Sequence, residues 1–334
     1  MSIIEQYIEK KSLFEKLSSK AKAILTEALE EEKIEFLSIT GRVKEKDSLA
    51  KKIDKKSYSD ISDITDVIGL RVITYVESEI PKIEKIIHDC FSIHLDDSMD
   101  KGKSLKTNEF GYRSVHFVCD LGDDRKSQPE YKKICGIPFE IQVRTVLQHG
   151  WAEIEHDRNY KFSGELPDQF KRRFYILAGT LELIDREFDS LSQDIAKYAE
   201  EEKIKISHNE LDIEINTITI DEYLLKKFAN FDFIMNTPKE VIQEIHSFGL
   251  TSIKEFDEII NYNFDLIAEK NPNEDRTSTG LIRHALMIYD LKRYFQNFNH
   301  SWGAMDREDR IYEFLLEKYP NLDLILEKNG IEID

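Results

Sequence analysis

No uninterrupted apolar run in the chain approaches the roughly 18 residues that a membrane-spanning helix requires. Residues 1–11 carry charge where a secretory leader would be apolar, so a cytoplasmic location is the expectation. Cysteine is scarce: Cys90, Cys119 and Cys135 form no C-x-x-C pair and sit among aliphatic neighbours, so neither disulfides nor a zinc site is expected. Repeats and low-complexity tracts are missing, which excludes a solenoid. Basic charge is in deficit, with 47 Lys+Arg against 65 Asp+Glu for a net −18. Such a chain repels nucleic acid and anionic lipid unless it concentrates cations locally. The deficit is uneven, because residues 201–334 hold 15 Lys+Arg against 27 Asp+Glu while residues 1–200 hold 32 against 38.

What is present is enough apolar residue for two cored domains, or for one catalytic domain with a helical appendage. Residues 3–32 repeat apolar side chains at helical spacing, predicting one or two amphipathic helices. A β-rich stretch at 36–40 follows; Gly41 is expected to break it, ahead of a helix at 47–53. Residues 67–76 read as a buried strand, 80–91 as a helix with Pro81 in its first turn, and 113–121 and 137–143 as further strands. Helical periodicity resumes over 148–160 and 170–198, giving an α+β domain over roughly residues 1–200. Residues 201–334 read as a mainly helical region, regulatory or oligomerising, in which only 211–220 alternates like a strand. Thr237-Pro238 and Gly249 bracket a helix there, and residues 241–260 faintly resemble a helix-hairpin-helix, although the local acidity favours packing or homo-oligomer contact over nucleic acid.

Four clusters carry groups suited to anionic nucleotides. Residues 41–56 place seven basic groups among three acidic ones, a positive island in an acidic protein. Within it Arg42 and Lys44 alternate on an extended segment and point the same way, while Ser48 and Lys52 share a helix face. In the second cluster Asp66 stands where the chain enters an apolar strand, either capping a turn or holding a cation. Gly69 permits close backbone approach, and Arg71 on the same strand needs an anionic partner. In the third, Gly111 leads into Tyr112, a ring suited to stacking on a base or simply an aromatic turn, with Arg113 and His116 beside it. In the fourth, Glu140, Gln142 and Arg144 share one strand face, opposite Phe139, Ile141 and Val143. That face is either solvated or a site, and the helix directly after it, able to cover it, argues for a site. His149, Glu153, His156 and Asp157 do not match H-E-x-x-H and are not read as metal ligands.

Taken in order, these clusters resemble the synthetase domain of the RelA/SpoT family, whose pattern includes G-R-x-K-x-x-x-S-x-x-x-K, D-x-x-G-x-R, G-Y-x-S-x-H and E-x-Q-x-R-T. The resemblance covers about residues 20–165. It implies a nucleotidyltransferase-like mixed sheet of about five strands flanked by helices, and a GTP pyrophosphokinase that makes (p)ppGpp with Mg²⁺ as cofactor. By the same resemblance, Arg42, Lys44, Ser48 and Lys52 hold the ATP phosphates with Arg71 as a further contact, and Asp66 and Glu140 are catalytic and coordinate Mg²⁺. Tyr112 would stack on guanine, with Arg113, His116, Gln142, Arg144, His156 and Lys161 around the acceptor. Residues 99–110 depart from the segment often found in members that make (p)ppGpp, which leaves the 3′ end of tRNA as an alternative acceptor. A noncatalytic nucleotide-binding regulator is the third reading, disfavoured because every charged motif residue is in place. No hydrolase domain of the family is recognisable, so alarmone breakdown by this chain is not expected.

Overall fold

The computed structural model describes residues 1–56, 58–95, 98–100, 114–161, 167–262, 264–268, 277–296, 304–307 and 310–333. The chain divides into two compact units, Met1–Gln193 and Asp194–Asp334.

The first unit opens with α1 (Ile3–Glu31), started by a capping box in which Ser2 and Glu5 each accept the other's backbone N–H. Its buried residues Tyr7, Phe14, Leu17, Ala21, Leu25 and Leu29 recur at steps of seven, three and four residues and form one stripe. Strand β1 (Ser38–Val43) follows, then α2 (Lys46–Lys55), β2 (Ile68–Thr74) and α3 (Ile80–Cys90). Two short strands, β3 (Ser92–Ile93) and β4 (Met99–Asp100), precede β5 (Val115–Asp120) and β6 (Phe139–Thr145). The result is a mixed sheet in the order β1-β2-β6-β5-β3, with β4 also paired to β5. Strands β2 and β6 run parallel, whereas β1–β2, β5–β6, β3–β5 and β4–β5 are antiparallel.

One face of this sheet is core. In β6 burial alternates residue by residue, sinking Phe139, Ile141, Val143 and Thr145 while Glu140, Gln142 and Arg144 stay partly open. Phe139 meets Phe91 edge to face at 5.3 Å. Helix α1 lies against β1 and β2. Gly41, expected to break the strand, instead sits inside β1, paired with Leu70. A Cβ there would stand 2.6 Å from Ser18 Oγ of α1 and 3.0 Å from Leu70, so the glycine serves a close helix–strand approach, not a turn.

Beyond β6 come α4 (Val146–Lys161) and the long α5 (Asp168–Ser207). Thr145 and Gln148 form the capping box of α4: the Thr145 N–H donates to Gln148 Oε1 at 3.1 Å, and the Gln148 N–H donates to Thr145 Oγ1 at 3.2 Å. The Thr145 hydroxyl in turn donates to Asp185 Oδ2 of α5 at 2.6 Å. Asp185 is only 2% exposed, and burial, reinforced by the charges of Glu77 and Asp189, pushes its carboxyl up to about 6 against the hydrogen bond from Thr145. A carboxyl raised in the folded state destabilises the protein above that value and stops doing so as pH falls towards 3.8, the unfolded value. The stability of Asp185→Asn relative to the parent should therefore be more favourable at pH 8 than at pH 4, by on the order of 2 kcal/mol. Thermal melts of both proteins across that range check this; a constant difference would contradict it.

The second unit is mainly helical and has its own core, with Ile220, Leu224, Phe228, Val241, Phe256 and Leu286 at its centre. Residues 211–220, expected as a strand, are not one: Asn216 caps the helix Thr217–Lys227, and only a single bridge, Glu214 to Ser252, survives of the extended pairing. The reason is local, since Asn216 and Thr219 exchange side-chain-to-backbone hydrogen bonds that start a helix. The helices Lys239–Ser247 and Ile253–Tyr262 are joined through Gly249 at φ 88°. Glu244, 2% exposed, accepts from Arg283 Nη2 at 2.6 Å and Tyr294 Oη at 2.7 Å. Arg283→Met, which strands that carboxylate, should destabilise this unit by about 3–5 kcal/mol in denaturant titration. No helix among the described residues is long and apolar enough to cross a membrane.

Candidate active site

The sheet face opposite α1 is where the polar alternation collects. Register sets two rows across it: Arg42 beside Gly69 beside Glu140, and Thr40 beside Arg71 beside Gln142 beside His116. Because side chains on neighbouring strands in one row share a face, the pattern of each strand becomes a patch when the strands align. Arg42, Lys44, Asp66, Arg71, Glu140 and Gln142 line a single cleft over this patch, with Thr40, Gly69 and Leu70 completing its wall.

Asp66 is gripped by two lysines. Lys44 donates to Oδ2 at 2.6 Å, and Lys52 of α2 brings its amino group to 2.7 Å from Oδ1. Oδ1 is sealed from solvent, with the Lys52 ammonium as its ion-pair neighbour. Burial works against the charge on Asp66, but the two lysines outweigh it and hold the carboxyl below the usual range. Glu140 is similar in outcome and different in cause. Burial again opposes its charge, while His116 Nδ1 at 2.5 Å from Oε1 and Gln142 Nε2 at 2.9 Å from Oε2 outweigh it and keep the carboxyl low. On its other side, His116 Nε2 lies 2.7 Å from the Ser114 hydroxyl. The glutamate is thereby held in one orientation by a buried chain of three groups.

The cationic side is less satisfied. Arg71 donates to Glu153 of α4 at 2.9 Å, and His149 Nδ1 stands 3.8 Å from the same oxygen. Burial, then the charge of Arg71, lowers the His149 pKa and favours its neutral form. Burial and the neighbouring Arg71 charge also pull the Arg144 guanidinium down, and Arg144 Nε has no hydrogen-bond partner among the described residues. Buried positive charge without enough carboxylate is what an anionic ligand would satisfy.

The structure thus brings together Arg42, Lys44, Asp66, Arg71, Glu140 and Gln142 in the cleft wall, with Lys52 joined through Asp66 and His116 through Glu140. Arg144 is two residues beyond Gln142 on the same face. Ser48 is exposed on α2 and is not part of the wall. Tyr112 and Arg113 lie outside the described residues, as do the side chains of His156 and Lys161. Sequence reasoning passed over Thr40, Ser114 and Glu153 as site residues. Thr40 carried a usable signal, its alternation with Arg42, and Ser114 the fixed serine of G-Y-x-S-x-H. Glu153 carried none, since its partner is 82 residues away.

The donor set suits a hard divalent cation. Asp66 and Glu140, two ionised carboxylates lining one cleft, are the residues that could hold it, although no group of three or more His, Cys, Asp and Glu residues suited to a metal occurs among the described residues. Mg²⁺ is typically bound in this way, by one or two carboxylates, with water and substrate phosphates filling the remaining positions.

Residues 41–165 match the family described as the region found in RelA / SpoT proteins. GTP pyrophosphokinase YjbM of Bacillus subtilis is 30% identical over 164 residues, covering 48% of this chain and 74% of that protein. GTP pyrophosphokinase YwaC of the same organism is 28% identical over 134 residues, covering 39% of this chain and 60% of that protein. The structure of small alarmone synthetase 1 from Bacillus subtilis bound to its product pppGpp aligns at 26% identity and a TM-score of 0.49, over 57% of this chain and 99% of that one.

Proposed function

Since the chain belongs to the RelA/SpoT family of alarmone synthetases and is a pyrophosphokinase, we propose that it transfers pyrophosphate from ATP to the ribose 3′-hydroxyl of GTP or GDP. The observation that carries this reading is the cleft itself: Asp66 and Glu140 open into one space with Arg42, Lys44 and Arg71. Attack on a triphosphate needs in-line placement and neutralised oxygens more than covalent help from the protein. Arg42, Lys44 and Lys52 bind and orient the triphosphate, and the two lysines are already turned towards an anion, the Asp66 carboxylate. Asp66 and Glu140 would hold Mg²⁺, which when bound supplies further positive charge against the phosphate oxygens.

Glu140 takes the proton of the acceptor hydroxyl as its oxygen bonds to the β-phosphorus; the bond from that phosphorus to the α-phosphate oxygen breaks, and AMP leaves. Its carboxyl is ionised at neutral pH, and His116 and Gln142 fix both its oxygens, which suits a base that must face one direction. Gln142 and Arg144 on the same strand face, and Arg71 beside Gln142 and braced by Glu153, are the groups available to the acceptor nucleotide. The test is to incubate the protein with ATP labelled in its β-phosphate, Mg²⁺, and GTP, GDP or deacylated tRNA. Label on the guanine nucleotide with release of AMP is the expected result. Label on tRNA alone would replace the acceptor, and no labelled acceptor would remove the reading.

A further inference from the structure

A second cavity lies on the α1 side of the first unit and shares no residue with the cleft. Its volume is about 240 Å³, and apolar cavities of roughly 150 Å³ already hold benzene. Leu13 and Phe14 of α1, Ile61, Ile64 and Val67 ahead of β2, and Ile137 and Pro138 ahead of β6 form its apolar wall. Phe14, Ile61, Ile64 and Val67 are each buried to within a few per cent while Ser62, Lys133 and Gly136 of the lining are exposed, so this is an apolar groove that opens to solvent.

The charged residues of the lining are Lys10 and Lys133, and no carboxylate accompanies them. The acids nearby are already engaged. Asp60, which also feels the Lys10 charge, accepts from the Ser62 N–H and hydroxyl, and Asp63 accepts from the N–H groups of Ser59 and Asp60. Ser62, the one hydroxyl of the wall, has thus given its proton to Asp60, which leaves the two ammonium groups as the donors for an incoming group. An apolar body of moderate size with cations at its edge is the complement of an amphipathic anion.

We propose that this cavity binds a small amphipathic anion, an aliphatic or aromatic body carrying one carboxylate or phosphate, with the body among Leu13, Phe14, Ile64 and Val67 and the charge at Lys10 and Lys133. Octanoate, octyl phosphate, octanol and butyrate form the probe series, measured by calorimetric titration and by thermal shift on the full chain without nucleotide. Octanoate or octyl phosphate is expected to bind saturably and to raise the melting temperature, and the difference between them reports which acid the lysines prefer. Octanol, without charge, and butyrate, without body, should bind at least tenfold more weakly. The double variant Lys10→Ala/Lys133→Ala, altered at partly and fully solvated positions, should lose at least tenfold of the octanoate affinity. Leu13→Trp should lower affinity for both eight-carbon anions by filling the space. Failure of both to saturate at millimolar concentration would overturn the proposal, as would octanol binding as tightly as octanoate or a lysine variant that binds unchanged. None of these readings depends on pyrophosphate transfer.

Discussion

Exchange of Glu140 for glutamine will lower kcat for pyrophosphate transfer by about 10³-fold, within the range a positioned general base contributes. The side chain keeps its volume in a strand flanked by Phe139 and Ile141, so the sheet should fold as before. The amide oxygen still accepts one of the two hydrogen bonds that His116 and Gln142 donate to the carboxylate. What disappears is the negative charge and with it the capacity to take a proton. Arg42, Lys44 and Lys52, proposed to hold the triphosphate, remain, so equilibrium binding of ATP measured without Mg²⁺ should change by less than about tenfold, the loss falling on the chemical step and on the Mg²⁺ that Glu140 would help to hold. Single-turnover kinetics beside a binding titration separate the two. A variant that turns over within tenfold of the parent would remove Glu140 from the proton transfer.

Gly69→Val tests the cleft from its floor. Residue 69 is the one position in the row between Arg42 and Glu140 without a side chain, and a Cβ built there meets nothing within 4 Å. Valine also suits an extended strand better than glycine. The melting temperature should therefore hold or rise slightly. The added methyl groups, however, would stand in the space that the carboxylates and cations share. Affinity for a non-hydrolysable ATP analogue is expected to fall by about 100-fold, on the order of 3 kcal/mol. Unchanged affinity would mean that the nucleotide phosphates lie elsewhere.

Much of the site was legible because strands and helices write their faces into sequence at fixed periods. The alternation of Glu140, Gln142 and Arg144 announced a shared face, and Arg42 with Lys44 announced another. Nothing in the sequence shows that these faces coincide, since that follows from the parallel register of β2 on β6, set between segments far apart in the chain. The same blindness hid the Arg71–Glu153 pair and the reach of Thr145 to Asp185. Local reasoning erred where tertiary contact or capping overrode it. Gly41 looked like a breaker and proved to be a point of close approach to Ser18. The alternation at 211–220 looked like a strand and yielded to the Asn216 cap. Asp66 read as capping a turn or holding a cation, and the sequence did not show that Lys44 and Lys52 of the first cluster both pair with it.

Strand β6, the last of this sheet to emerge from a ribosome, is also the one that lies between β2 and β5. A nascent chain that has not yet reached Phe139 owns the cation-rich segment and Asp66 but has no strand to join its two sheet halves and no Glu140. Non-local closure of this kind is slow, and it delays the site until most of the first unit is synthesised. A chain that stops short of Phe139 therefore carries two unjoined portions of the sheet, and the cleft residues of β1 and β2 wait on a strand made almost a hundred residues after Arg42.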